Sequence, residues 1–286
     1  MSEILPGFRV AIPARYASTR LPGKPLRMIA GRPLIEHVYQ RALASGALEV
    51  VIATDDARIR QVAEGFGARV CMTSPDHLSG TDRLAEVAAQ LNWPDDAIVV
   101  NVQGDEPQVP PVLIQQVATG LEQHPDAGIA TLCARIADPA ELFDPNVVKV
   151  VRDQQDYALY FSRAPIPWHR EGFRNKGGEH PSLLPENSAW FRHIGLYAYR
   201  VAVLTRYPHL SPAPAEQAEA LEQLRALWRG IRIHVAEAVK IPPLGVDTEA
   251  DLARVAAHWA SSDGSSGPFL GNPLIIDVKA EIYQKL

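Results

Sequence analysis

Cysteine is nearly absent. Cys71 and Cys133 are the only two in 286 residues, too few and too far apart for a disulfide framework or a thiolate metal site. Both read as buried thiols. Long apolar runs are missing as well: no stretch approaches the ~18 residues a membrane-spanning helix needs, and the first residues lack the basic and apolar regions of a signal peptide. No membrane insertion and a cytoplasmic location are therefore expected. An excess of positive charge is also lacking. The formal net charge is −5, so the overall field repels nucleic acid and anionic lipid, and no nucleic-acid partner is implied. Neither a Walker loop nor G-x-G-x-x-G follows the first apolar run, which excludes an ordinary P-loop ATPase and a dinucleotide-binding dehydrogenase. No G-x-S-x-G elbow offers an activated serine.

What is present is ordinary globular material, 47% hydrophobic and 21% charged, ample for a large core in one or two domains. The pattern alternates strands and helices. FRVAIPA (8–14) is a short apolar run, and 32–46 reads as an amphipathic helix with Pro33 at its first position and Gly46 as its stop. Strand 48–56, helix 57–67, strand 68–73, helix 82–92 and a buried strand over 96–107 continue the rhythm. It predicts an α/β, doubly wound, mostly parallel Rossmann-like sheet. Beyond Pro110 the spacing predicts a helix over 112–123 and strands over 126–136, 147–153, 157–168, 193–200 and 231–239. Residues 169–190 are too rich in glycine and proline to be regular. Helix 214–230 places Leu221, Leu224, Leu227 and Trp228 on one stripe, and helix 248–260 opens with a Thr248 and Asp251 capping pair. SSDGSSGP then has linker composition.

Negative charge is missing from one region in particular. Between Ile4 and Ile35 there is no Asp or Glu, while Arg9, Arg15, Arg20, Lys24, Arg27 and Arg32 all fall there. A solvated surface loop would tolerate such charge, but it would not need the stiffness of IPARYASTRLPGKPL (12–26). Pro13, Pro22 and Pro25 fix φ at roughly −65°, Gly23 permits a close turn, and Ser18 and Thr19 add hydroxyl donors. Rigidity points to a shaped anion site. Arg15 and Arg20 can grip phosphate oxygens bidentately and Lys24 acts as a point charge, so a polyphosphate is the natural guest. Such a guest usually brings a divalent ion with oxygen ligands. Asp105 and Glu106 in QGDEP, and Asp247 in LGVDTEADL, stand at element ends where ligands of open α/β sheets bind. A lone aspartate there is as often a cap or turn residue; with the basic loop, the set outlines a phosphate-and-metal site.

In order and spacing, IPARYASTRLPGKPL, ATDD, SGTDR, NVQGDEP, FSRAPIPW, RHIGLYAYR, LEQLRALW and GVDTEADL resemble the CMP-Kdo synthetases, the 3-deoxy-manno-octulosonate cytidylyltransferase family, over residues 8–259. The resemblance implies a fold of the nucleotide-diphospho-sugar transferase type with a smaller sugar-binding and dimerisation subdomain. It also implies transfer of CMP from CTP to the anomeric hydroxyl of 3-deoxy-D-manno-octulosonate (Kdo) for lipopolysaccharide biosynthesis, magnesium as cofactor, and a cytoplasmic homodimer. On this basis residues 1–262 form the catalytic domain, with the sugar and dimer excursion near 155–230, and 263–286 are linker and extension. By position, Arg15, Arg20 and Lys24 match the triphosphate cradle and Asp105 and Asp247 the magnesium ligands. Ser18, Thr19, Ser79, Gly80 and Arg83 fall on the nucleotide side. Gln103, Arg163, His193, Tyr197, Glu222 and Gln223 match the sugar pocket.

Each assignment has a plainer competitor. Asp82 serves equally well as a cap for the helix beginning there, His193 as a core-edge histidine, and Arg163 as an ion-pair partner. Glu222 and Gln223 lie off the Leu221–Trp228 stripe, so only an adjoining pocket makes them functional. The chemistry expected is in-line attack of the anomeric hydroxyl on the α-phosphorus, which needs positioning and charge neutralisation rather than a covalent nucleophile. A cytidylyltransferase for another sugar acid, such as a sialic acid, and a nucleotide-sugar-binding regulator remain the alternatives.

Overall fold

The computed structural model describes residues 7–17, 20–77, 79–173, 183–185 and 190–262. They fall into two compact units, one comprising the chain up to Arg9, Leu78–Asn101 and Gln116–Ala238, the other Val10–His77, Val102–Gln115 and the chain from Val239. The stretch 155–230 lies wholly within the first of these.

The second unit holds strand Phe8–Ala14 from Val10 onward, followed across the sheet by Glu49–Thr54 and Arg69–Met72, the last two parallel. Helix Leu34–Leu43 buries Leu34, Ile35, Val38, Tyr39 and Ala42, the face that its periodicity predicts. Pro33 sits one residue before the helix, in extended conformation, and Gly46 closes the turn after it with φ +77°. Asp56 caps helix Ala57–Gly65 by accepting from Arg58 N at 2.9 Å. In helix Glu249–Ser262, the Trp259 ring packs on His37 at 4.6 Å. Thr248 Oγ1 accepts from Asp251 N, and Asp251 accepts from Thr248 N, which is the expected capping pair.

In the first unit the strands run Ile233–Glu237, Ile129–Arg135, Phe191–Arg200, Ile98–Asn101. The first pair is parallel; Phe191–Arg200 is antiparallel to both its neighbours. Lys149–Arg152 pairs with Phe191–Arg200 and with Ala158–Ser162. Cys71, in the second unit, and Cys133 are both buried and form no disulfide among the described residues, and burial pushes the Cys133 thiol up to about 12.

Four elements differ from the sequence expectation. The helix placed at 82–92 begins at Gly80, because Ser79 and Asp82 close a capping box. The single helix over 214–230 is two, Pro214–Glu219 and Gln223–Trp228, broken at Ala220 with φ 51°. A left-handed alanine costs about 1–2 kcal/mol. Tertiary contacts offset it: Arg225 folds back on Glu216, with Nε to Oε2 at 2.9 Å, and the Tyr207 hydroxyl donates to the Glu222 carbonyl at 2.8 Å. The break rephases the face, so Gln223, Leu224 and Ala226 are buried and Trp228 is exposed. The strands expected over 96–107 and 157–168 shrink to Ile98–Asn101 and Ala158–Ser162. Short helices Pro139–Phe143 and Val201–Arg206 were not signalled by any long periodic run.

Candidate active site

The basic loop is held by its own backbone. Gly23 adopts φ +66°, and a Cβ there would stand 3.1 Å from the Tyr16 hydroxyl, so the turn accepts glycine alone without strain. Gly23 N donates to Tyr16 O at 3.2 Å. The Arg58 guanidinium stacks 3.3 Å over the Tyr16 ring, and Arg15 donates to the His77 carbonyl. Lys24 opens a one-turn helix, Lys24–Leu26, directly after Gly23.

Lys24 is where this loop meets the two distant aspartates. Its Nζ donates to Asp105 Oδ2 at 2.7 Å and to Asp247 Oδ1 at 3.1 Å; Arg20 Nη2 donates to the same Asp247 oxygen at 3.1 Å. Burial works to lower the Lys24 pKa, but the two carboxylates outweigh it and the net shift is upward. Backbone fit sets the convergence. A Cβ on Gly104 would lie 2.7 Å from the Pro13 carbonyl oxygen, and one on Gly245 3.2 Å from that of Asp105. Val246 N donates to Asp105 O at 2.9 Å, which places Asp247 beside Asp105. The sequence showed the charges; it gave no signal for these two close approaches beyond the glycines themselves. Ser18 and Thr19 lie outside the described residues.

Burial, with the Asp105 charge beside it, pushes the Glu106 carboxyl up to about 7. A carboxyl whose folded pKa lies above its unfolded value of 4.5 destabilises the fold once both states are ionised, and this cost disappears as pH falls through 7 towards 4.5. Glu106→Gln is therefore expected to raise the stability of the free protein at pH 8, by on the order of 3 kcal/mol, and to leave it unchanged near pH 4. Urea unfolding at the two pH values checks this; an equal effect at both contradicts the burial of an ionisable Glu106.

The other sugar- and nucleotide-side residues lie in the first unit, except Gln103 in the second. Among the described residues the Gln103 side chain makes no hydrogen bond; its carbonyl accepts from Glu106 N. In the first unit the structure joins Glu222 to the SGTDR segment. Burial raises the Glu222 pKa, Asp82 adds to the rise, and hydrogen bonds with Thr81 and Ser79 oppose it. Glu222 Oε1 is buried with no hydrogen-bond partner among the described residues. Arg83 is sealed from solvent. Gly80 is the first residue of its helix and Ser79 its cap. Burial and the nearby Tyr199, Tyr207 and Glu222 raise the Tyr197 pKa, which ties Tyr197 to the same cluster, and its ring centroid lies 5.2 Å from that of His193. Arg163 stands apart from this group: its Nε donates to Glu219 O at 2.7 Å and its Nη1 to Pro145 O at 2.9 Å. Gln223 is 9% exposed.

One element was invisible in the sequence. The long strand slips register between Ile194, opposite Leu132, and Tyr197, opposite Thr131, leaving Gly195 and Leu196 as a bulge. The Thr131 hydroxyl lies 3.0 Å from Ile194 O and 2.8 Å from Leu196 O, so its one hydrogen is donated to the carbonyls at the irregularity. His193 and Tyr197 flank this bulge. Gly195 within a strand pattern is the only sequence hint of it.

A stiff cationic loop meeting two carboxylates, one after a strand and one before a helix, suits the handling of a nucleoside triphosphate in an α/β fold. Residues 10–233 match the family model described as cytidylyltransferase. A 3-deoxy-manno-octulosonate cytidylyltransferase of Nitrosococcus oceani is 59% identical over 248 residues, 87% of this chain and 95% of the relative. That of Thioalkalivibrio sulfidiphilus is 60% identical, covering 87% and 97%. A solved CMP:2-keto-3-deoxy-manno-octonic acid synthetase complexed with CTP superposes with TM-score 0.80 at 44% identity, over 89% of this chain and 99% of that one. The chain belongs to the cytidylyltransferase family, among the 3-deoxy-manno-octulosonate cytidylyltransferases, and has their α/β, mostly parallel, nucleotide-diphospho-sugar transferase fold.

Proposed function

We propose that this protein transfers CMP from CTP to the anomeric hydroxyl of Kdo, releasing pyrophosphate. The observation that carries the reading is the meeting of Lys24 with Asp105 and Asp247 in a chain of this family. Lys24, Arg15 and Arg20 cradle the triphosphate and stabilise the leaving pyrophosphate. On substrate entry Lys24 exchanges carboxylate for phosphate oxygens. Ser79, Gly80 and Arg83, like Ser18 and Thr19 outside the described residues, are assigned to the nucleotide on the family resemblance alone.

Magnesium suits the donor set. Asp105 and Asp247 offer hard oxygens close enough to share one cation, Lys24 Nζ, and Mg²⁺ usually takes only one or two protein carboxylates beside substrate phosphates and water. When bound, the ion supplies charge neutralisation at the reacting phosphates. The chain's own residues hold the reactants in line.

On the sugar side, Glu222 Oε1 is a buried acceptor aimed at no described residue, which suits a sugar hydroxyl. Tyr197, His193 and Gln223, in the same unit, extend the polar set; Gln103 and Arg163, the latter as the cation for the sugar carboxylate, are assigned on the family resemblance alone. A homodimer fits the edge strand Ala158–Ser162, which leaves Leu159 59% and Tyr160 39% exposed. The activated sugar serves lipopolysaccharide assembly from the cytoplasm; among the described residues no helix is long and apolar enough to cross a membrane.

Pyrophosphate release from CTP with magnesium, measured across a panel of sugar acids, tests the proposal. Turnover is expected with Kdo and not with sialic acid. Preference for sialic acid would reassign the sugar pocket, and no release with any acid would reduce the protein to a binding module.

A further inference from the structure

Thr131 is buried, 1% exposed, in the strand opposite the bulge. Besides the Ile194 and Leu196 carbonyls, its Oγ1 lies 3.0 Å from His193 Nε2. A hydroxyl carries one hydrogen, and the two carbonyls can only accept it, so towards the imidazole this oxygen is an acceptor. Nε2 must then bear the ring proton. We infer that Thr131 is a positioning residue that fixes the Nε2–H tautomer of His193, so that Nδ1 presents a lone pair and reads a hydroxyl of the sugar acid rather than its carboxylate.

The surroundings agree. The Phe161 ring stands edge-on to His193 at 5.1 Å and the Tyr197 ring lies 5.2 Å from it, tilted, while the His193 backbone N–H is spent on Val148 O at 2.8 Å. No described residue takes up Nδ1. Burial pushes the imidazole pKa down to about 3, so the ring stays neutral at working pH and cannot offer a second N–H. A carboxylate would meet lone pair against lone pair there; a hydroxyl would donate. The sequence had no means of finding Thr131, since its role depends on a register slip.

The inference rests on the Kdo-binding reading of His193, and the test separates the two. Long-range proton–nitrogen spectra of the full-length enzyme labelled on histidine report the tautomer without substrate, with His193→Gln identifying the resonances. Wild type and Thr131→Ser, which keeps the hydroxyl, are expected to show the proton on Nε2 alone; Thr131→Val is expected to show both tautomers. Kinetics should follow. Thr131→Val raises the KM for Kdo roughly 3- to 10-fold, the worth of one neutral hydrogen bond, leaves the KM for CTP unchanged, and is rescued by serine. A wild-type proton on Nδ1, or a valine variant with the single wild-type tautomer, overturns the role of Thr131. An unchanged KM for Kdo in His193→Gln instead removes His193 from the sugar site, whatever the tautomer.

Discussion

Replacing Asp105 or Asp247 by alanine is expected to lower turnover on the order of a thousandfold, the scale at which one preorganised charge-stabilising group matters, while the fold survives. The two side chains are 34% and 46% exposed, so as ion pairs they contribute about 1 kcal/mol or less. Lys24 also retains one partner in either variant, so no buried cation is left bare. Function suffers far more, because each carboxylate is half of the protein's share of the proposed magnesium site. Pyrophosphate release and thermal unfolding of the same samples check both halves. Near-normal release by either variant refutes the assignment.

Gly104→Ala is the second large effect, and it acts through backbone alone. The new methyl would lie 2.7 Å from the Pro13 carbonyl oxygen, with Ile35 Cδ1 at 3.5 Å and Ala14 Cα at 3.7 Å. Neither the carbonyl nor the strand end behind it can swing aside as a flexible side chain would. Either the basic loop or the Val102–Pro107 segment must move, and Asp105 is the next residue. A shift of about 1 Å in a positioning group costs roughly a hundredfold in rate, and overpacking a tight contact costs about 1–3 kcal/mol. Both losses are expected together, in kcat/KM and in melting temperature. A variant with native kinetics would mean the two loops need not touch.

Local chemistry carried most of what was legible in the sequence. The basic loop stood out because no acid accompanies the six cations between Ile4 and Ile35, and Asp105 after a buried strand and Asp247 just before the last helix were candidates before their meeting at Lys24 was known. Helix Leu34–Leu43 followed from its periodicity. The missed start at Gly80 was written in a local pattern, Ser79 with Asp82 three residues on. Other features had no local signature. Ala220 turns left-handed because Arg225 reaches Glu216 and Tyr207 reaches Glu222, contacts formed only in the fold; the stripe through Trp228 was therefore drawn on a helix that does not continue. Thr131 looked like any residue of a buried strand, and only the slip at Gly195 gives its hydroxyl two carbonyls and an imidazole.

The central claim, that the amino-terminal cations and two remote carboxylates surround one metal-bound nucleoside triphosphate, is tested most directly by a crystal structure with CTP and manganese in place of magnesium, the ion located by its anomalous signal. The account predicts manganese bonded to Asp105 and Asp247, with Arg15, Arg20 and Lys24 on the phosphates. A triphosphate seated elsewhere, with Lys24 still bonded to both aspartates, would contradict it.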